Sequence, residues 1–273
     1  MATVDYVPPY QITDRMLMLV SSISENIGQI TYIQEHNNRP HLRKNSKIKS
    51  VYSSLKIETS PFALEEVRDI IDGHPVLGKQ REIQEVKNAY EAYDRIQQID
   101  PYSLDALNEL HGIMTKYLVK ESGRFRSGNE GVFQDGKCIF MAPPPELVPD
   151  LMQKLFDWMN ASKDVLHPLI LSAVFHYEFV FIHPYEDGNG RMARLWHTAI
   201  LTKWKPIFEY IPIESQIERF QQRYYDAIAK CHANGNSNLF IEFMLEQIDS
   251  ISNEILLQSK KKDRVDPGTP GLN

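Results

Sequence analysis

Between Ile182 and Arg194 the chain reads IHPYEDGNGRMAR, which gathers an imidazole, two carboxylates, a Gly-Asn-Gly triplet and two guanidinium groups into one short run. Each type has a use beside phosphate. RMARLWHTAILTKW, which begins inside the run, has helical apolar spacing, so Gly188, Asn189 and Gly190 fall at a helix N-terminus. There the unpaired amides and the positive dipole end bind anions, and glycine lets a phosphate approach the backbone. Arg191 and Arg194, three apart on the first turn, can serve one polyanionic group. Asp187 can hold a magnesium ion, which prefers one or two carboxylates plus substrate oxygens. His183 titrates near neutrality and can act as a base. Any one of these residues alone reads as part of a capped, solvated turn, and Glu186 is read that way. The ordered set reads as a place that holds a metal-bound polyphosphate and deprotonates a nucleophile beside it.

The elements that must position this run are helical. Apolar residues recur at three and four spacing in RMLMLVSSISENIGQI, SLDALNELHGIMTKYLV, ELVPDLMQKLFDWMN and NLFIEFMLEQIDSISNEILLQ, which predicts an all-α protein. Thr13-Asp14, Asp100-Pro101 and Ser103 signal helix starts, and Pro143 to Pro145 separate Met141 from the next amphipathic stretch. From Gly123 to Met141, GVF and KCIFM flank Gln134-Asp135-Gly136, the pattern of a β-hairpin. The end, KKKDRVDPGTPGLN, reads as a polar tail or linker stub.

Composition narrows the function classes. The 273 residues are 42% hydrophobic and 24% charged, as in a globular protein, and the net charge of -6 provides no global basic field for nucleic acid. Cys138 and Cys231 stand far apart without CxxC spacing, which argues against a disulfide framework and a zinc knuckle. No signal peptide or spanning segment is read, so the expected compartment is the cytoplasm. GHPVLGKQ, Gly73 to Gln80, imitates a P-loop. It is rejected because Gln80 replaces the magnesium-binding hydroxyl and the preceding LEEVRDII reads as helix rather than strand. His111, His167, His176, His197 and His232 lack paired-ligand spacing and are read as mostly structural or surface residues.

HPYEDGNGRMAR resembles the signature of the Fic family, His-Pro-Phe-x-Asp/Glu-Gly-Asn-Gly-Arg-x-x-Arg, with Tyr185 in place of the usual Phe. FHYEFVFIHP and PPPELVPDLMQKLFDWMN also look like the family, and the likeness runs from about Tyr6 to Leu257. The resemblance implies an all-helical core with a β-hairpin flap. It divides the chain into an N-terminal helical region, 1–95, a core with flap, 96–258, and a polar tail, 259–273. It implies a protein adenylyltransferase that moves AMP from ATP to a protein hydroxyl, with Mg2+. His183 would then be the general base and Asp187 the metal ligand. Gly188, Asn189 and Gly190 would form the anion hole, and Arg191 and Arg194 would hold the phosphates. The buried hydroxyl of Tyr185 would need a partner.

Upstream, VYSSLKIETS places Ser54 and Glu58 four apart, on one helical face. In the family a Ser/Thr-x-x-x-Glu-Gly/Asn segment forms an inhibitory helix whose glutamate pairs with the second signature arginine. Thr59 departs from the pattern where Gly or Asn would close the helix in the left-handed conformation. The resemblance also assigns Gly123, Arg126 and Val132 to a flap that positions the target, and Tyr224 or Tyr225 to the nucleoside pocket. Other readings remain: transfer of another phosphate-linked group, AMP removal assisted by Glu58, or a nucleotide-sensing module without catalysis. Expected partners are ATP and a target protein, with self-modification and homo-oligomerisation left open and membrane and nucleic acid disfavoured.

Overall fold

The computed structural model of the protein describes residues 6–36, 40–134 and 137–265. The first helix, α1 (Asp14–His36), starts where expected, with the Thr13 hydroxyl accepting the Met16 amide at 3.2 Å. Its Met16, Ile23, Ile27 and Ile30 are buried on the face that meets the long α11 (Asn238–Val265). Between them come α2 (Pro40–Ile57), α3 (Leu64–Asp72), α4 (Gln80–Asp94), α5 (Leu104–Met114), α6 (Val148–Ser162), α7 (Pro168–Ile182), α8 (Asn189–Trp204), α9 (Ile213–Arg219) and α10 (Gln221–Asn234). Ser103 caps α5 by accepting the Ala106 amide at 3.2 Å. Residues Gly73 to Lys79 simply join α3 to α4, and Gly73, at φ 83°, closes α3.

The centre is the pair α7 and α8. Helix α7 is buried nearly all round, from Leu169 to Phe179, as a run this apolar requires. Trp196 anchors α8 in the core, and its indole N–H donates to the Pro101 carbonyl at 3.0 Å. Helix α2 lies against α4 and α9 and touches α8. An N-terminal strap crosses the other side: Tyr6 donates to Glu178 at 2.6 Å, and the Ser237 amide donates to the Pro9 carbonyl at 3.0 Å. No helix among the described residues is long and apolar enough to cross a membrane.

One antiparallel hairpin interrupts the helices, β1 (Gly131–Gln134) and β2 (Lys137–Met141). Val132 pairs with Phe140, and a register shift between Val132 and Phe133 marks a bulge. Asp135 and Gly136 of the expected turn lie outside the described residues. The hairpin begins at Gly131 rather than Gly123, because Gly123 and Arg126 are engaged elsewhere, as described below. Helix α11 continues to Val265, so the segment expected as a tail from residue 259 starts on a helix; residues 266–273 lie outside the described residues.

Candidate active site

His183 ends α7 in the left-handed conformation, φ 53°, its amide donating to the Phe179 carbonyl at 2.9 Å. Its Nδ1 lies 3.3 Å from the Val180 carbonyl. A carbonyl can only accept, so Nδ1 carries the proton and Nε2 keeps its lone pair. Burial lowers the imidazole pKa; the Val180 carbonyl and Glu58 pull it up, and Arg126 pushes it down. The neutral form that a base requires is therefore favoured near neutral pH.

The loop from Pro184 to Gly188 is fastened from inside. Asn189 grips it through Oδ1, which accepts the Tyr185 amide at 2.9 Å, and through Nδ2, which donates to the Tyr185 carbonyl at 2.7 Å. The Tyr185 hydroxyl finds its partner in Asn108 Oδ1 at 2.8 Å, and the ring stacks on His111 with centroids 3.6 Å apart. His111 Nδ1 accepts the Gly123 amide at 3.0 Å, so its Nε2 carries the proton and donates to the Asp187 carbonyl at 3.0 Å. Burial lowers its pKa to about 4, which keeps this bridge neutral. Asn108, His111 and Thr115 share one face of α5 and its exit, polar positions among the buried Leu107, Leu110 and Met114. That interruption was the only sequence sign of their part in the site.

Gly188, at φ 85°, turns the chain into α8, whose first helical bond runs from the Met192 amide to the Gly188 carbonyl at 2.9 Å. The amides of Asn189, Gly190 and Arg191 therefore have no partner inside the helix. A Cβ built on Gly190 would collide with Glu58 Oε1, so a carboxylate already rests against this bare turn. The same Oε1 accepts from Arg194 Nη2 at 2.7 Å, while Arg194 also donates to the Ser54 hydroxyl at 3.1 Å and the Ser54 carbonyl at 3.0 Å. Burial opposes the charge on Arg194, but Glu58 together with the Tyr224 and Tyr93 hydroxyls more than offsets it, and the guanidinium pKa is raised.

The two signature arginines do not converge on one point. Arg191, nearly buried, donates to Asp187 Oδ1 at 2.7 Å, and the same oxygen accepts the Gly188 amide at 2.6 Å. Among the described residues Asp187 Oδ2 pairs with Arg81, loosely, at 3.8 Å.

Glu58 sits at the mouth because of how α2 ends. Thr59 takes the left-handed position itself, φ 65°, its amide donating to Lys56 at 3.0 Å and the Ser60 amide to Leu55 at 3.1 Å. The helix closes as if a glycine were present, with strain in the β-branched residue. Gln221 donates to the Ile57 carbonyl at 3.0 Å. Further back, Ser50 and Ser53 donate to Glu214 and Glu218 of α9 at 2.8 and 2.6 Å. Glu214, buried, also accepts from Tyr93 at 2.9 Å and Thr198 at 3.1 Å, joining α2, α4, α8 and α9.

Other expected positions fall elsewhere. Tyr224 is 2% exposed, packed on Phe240 and Phe243, with its hydroxyl paired to His176 at 2.9 Å and lying beside Arg194. Its ring is enclosed and offers no face to a nucleoside. Tyr225 points to solvent at 43% exposure. Gly123 lies against α5, where a Cβ would meet the Asn108 carbonyl at 3.2 Å, and Arg126 is buried under the His183 loop. Neither belongs to the hairpin; of the three expected flap residues only Val132 does.

A helical body presents a bare, carboxylate-covered helix N-terminus beside a histidine whose pKa burial lowers. The profile of the Fic/DOC family matches residues 99–201. A Fic family protein from Desulfovibrio desulfuricans G20, solved by crystallography, is 41% identical with a TM-score of 0.88, over 97% of this chain and 79% of that one. The chain belongs to the Fic family. It is also similar to the protein adenylyltransferase Fic of Nematostella vectensis, 30% identical over 74% of this chain and 47% of that protein. Protein adenylyltransferase fic-1 of Caenorhabditis elegans is 25% identical over 74% of this chain and 41% of that protein. The chain thus spans less than half the length of these two curated relatives.

Proposed function

We propose that this chain transfers AMP from ATP to a hydroxyl side chain of a target protein and that Glu58 restrains it. The observation that carries the reading is the Glu58 carboxylate resting on Gly190 and bonded to Arg194, an anion held where a phosphate would bind. The names of the relatives, protein adenylyltransferases, support the same chemistry.

In this reading the amides of Asn189, Gly190 and Arg191 hold phosphate oxygens, and Arg194 exchanges Glu58 for the γ-phosphate. Asp187 fits a magnesium ion: a single carboxylate, 38% exposed, with Oδ2 loosely paired to Arg81, beside a phosphate cradle. Among the described residues no group of three or more His, Cys, Asp or Glu side chains could hold a metal alone, so substrate oxygens would complete its shell. Bound there, the ion would neutralise phosphate charge. Arg191 keeps Asp187 oriented.

The reaction is a displacement at the α-phosphorus. The target hydroxyl oxygen bonds to phosphorus, its proton passes to His183 Nε2, the α–β anhydride bond breaks and pyrophosphate leaves. A two-stranded hairpin has an outer edge on each strand, which suits target docking by strand addition. Among the described residues Glu58 is bonded through Oε1, and the side chain is 39% exposed, which favours a second activity of the same site: aligning a water for AMP removal.

The test is intact mass after incubation with ATP and magnesium. Glu58→Gly should carry an added AMP on itself or on a supplied protein, at least about tenfold more than the parent chain, the change that ~1.4 kcal/mol of released Arg194 pairing produces. Adding His183→Ala should lower transfer by ~10²–10⁴ while ATP still binds. ATP binding without any adduct would replace this reading with a nucleotide-sensing module. Equal modification of the parent and Glu58→Gly would remove the restraint. Loss of AMP from a modified protein mixed with the parent chain would establish the second activity.

A further inference from the structure

Arg126 is 3% exposed, yet its hydrogen bonds go to backbone carbonyls rather than to a carboxylate. Nε donates to His183 at 2.7 Å, Nη1 to Gly128 at 2.7 Å, and Nη2 to Pro143 at 2.6 Å and Ile182 at 3.4 Å. Its own amide donates to the Pro184 carbonyl at 2.9 Å. One side chain and its backbone thus hold three consecutive carbonyls, 182 to 184, and reach both approaches to the hairpin, Gly128 before β1 and Pro143 after β2.

The placement answers a specific problem. Helix α7 ends with unpaired carbonyls and the negative end of its dipole, which a cation satisfies. His183 follows in the left-handed region, costly for a residue with a Cβ, and stays there only if its surroundings fix it. The planar fork of arginine can address several carbonyls at set angles, and a lysine cannot. Burial opposes the charge on Arg126, and the Glu130 carboxylate offsets part of that. The fold thus keeps a costly buried cation where its geometric effect falls on His183.

We propose that Arg126 is the positioning residue for His183: it fixes the backbone turn that aims the imidazole and ties that turn to both ends of the hairpin. The inference rests on the reading of His183 as the base. A docked target pulling on the hairpin would then act on His183 through Arg126.

The experiment places Arg126→Lys and Arg126→Gln in the Glu58→Gly background. If Arg126 positions the base, kcat falls ~10–100-fold for the glutamine variant and less for the lysine variant, while KM for ATP stays within about twofold. A second readout needs no turnover: 15N NMR of His183 in the nucleotide-free protein. The parent should show the Nδ1–H tautomer held by Val180, and the variants a larger share of Nε2–H. An unchanged kcat with an unchanged tautomer overturns the proposal, as does a loss of ATP affinity matching the loss of kcat in folded protein. If Arg126→Gln does not fold, the lysine variant decides by the same criteria. If the Glu58→Gly parent transfers no AMP at all, the catalytic reading fails, and the tautomer alone decides whether Arg126 sets the imidazole.

Discussion

Replacing Thr59 by glycine isolates the strain at the end of α2. Thr59 is exposed and its φ is 65°, so glycine removes little buried contact. A residue with a Cβ in the left-handed region costs on the order of 1–3 kcal/mol. The greater freedom of glycine in the unfolded chain takes back roughly 0.5–1 kcal/mol. About 1 kcal/mol therefore remains in favour of the variant, and Tm should rise by about 2–4 °C for a chain of this size. Thr59 directly follows Glu58, and its amide closes the last turn, so the gain also stabilises the seated carboxylate over the released one. That is roughly fivefold in an equilibrium constant, and the apparent Kd for ATP should weaken by a similar factor. Thr59→Ala, which keeps a Cβ in the same conformation, should gain less than half as much. Calorimetry gives Tm and titration calorimetry gives Kd. The reasoning is refuted if Thr59→Gly lowers Tm or leaves it unchanged, or if it weakens ATP binding equally when Glu58 has already been replaced by glycine.

Gly190→Ala separates removal of Glu58 from opening of the site: the new methyl evicts Glu58 but occupies the same ground as a phosphate. ATP should bind at least about tenfold more weakly than to Glu58→Gly, with the fold retained, and tighter binding would contradict this. Stability should fall as pH drops from about 6.5 toward 4, because His111 and His197 have pKa values lowered by burial to about 4 and His176 lies well below its usual value. The unfolded chain takes up those protons first, at up to about 1.4 kcal/mol per pH unit for each histidine. Glu178, raised by burial to about 6, works in the opposite sense and offsets part of one histidine between about 4.5 and 6. Urea midpoints that stay level between pH 7 and 5 would argue against neutral buried imidazoles.

The legible part of this molecule was what neighbours in sequence decide. The helix starts at Thr13 and Ser103 follow from capping chemistry. The glycine turn before α8 follows from a residue type next to a helical period. The hairpin was recognisable as a hairpin, but its start was not, because what keeps residues 123–130 out of the strands is the pairing of Gly123 with His111 and of Arg126 with carbonyls near residue 183. Those partners lie too far along the chain for any periodicity to report. Arg191 and Arg194, three apart on one helix, were expected to act together; tertiary pairing sends one to Asp187 and the other to Ser54 and Glu58. The contact of Glu58 with Arg194 spans 136 residues, half of the chain, and was reached through family resemblance alone. Tyr224 illustrates the converse, since an aromatic residue on an amphipathic helix belongs to the core unless something else draws it out.

Three of the serines of α2 have a consequence for how the helix can move. Ser50, Ser53 and Ser54 each meet a different partner, Glu214, Glu218 and Arg194. Advancing one residue along a helix turns it by roughly 100°, so a slip of a single position would misalign all three at once. Such a fastening admits one seating and no intermediate rotation. Graded adjustment is confined to the stretch past Ile57, where the final turn can peel away while the rest of the rod stays locked.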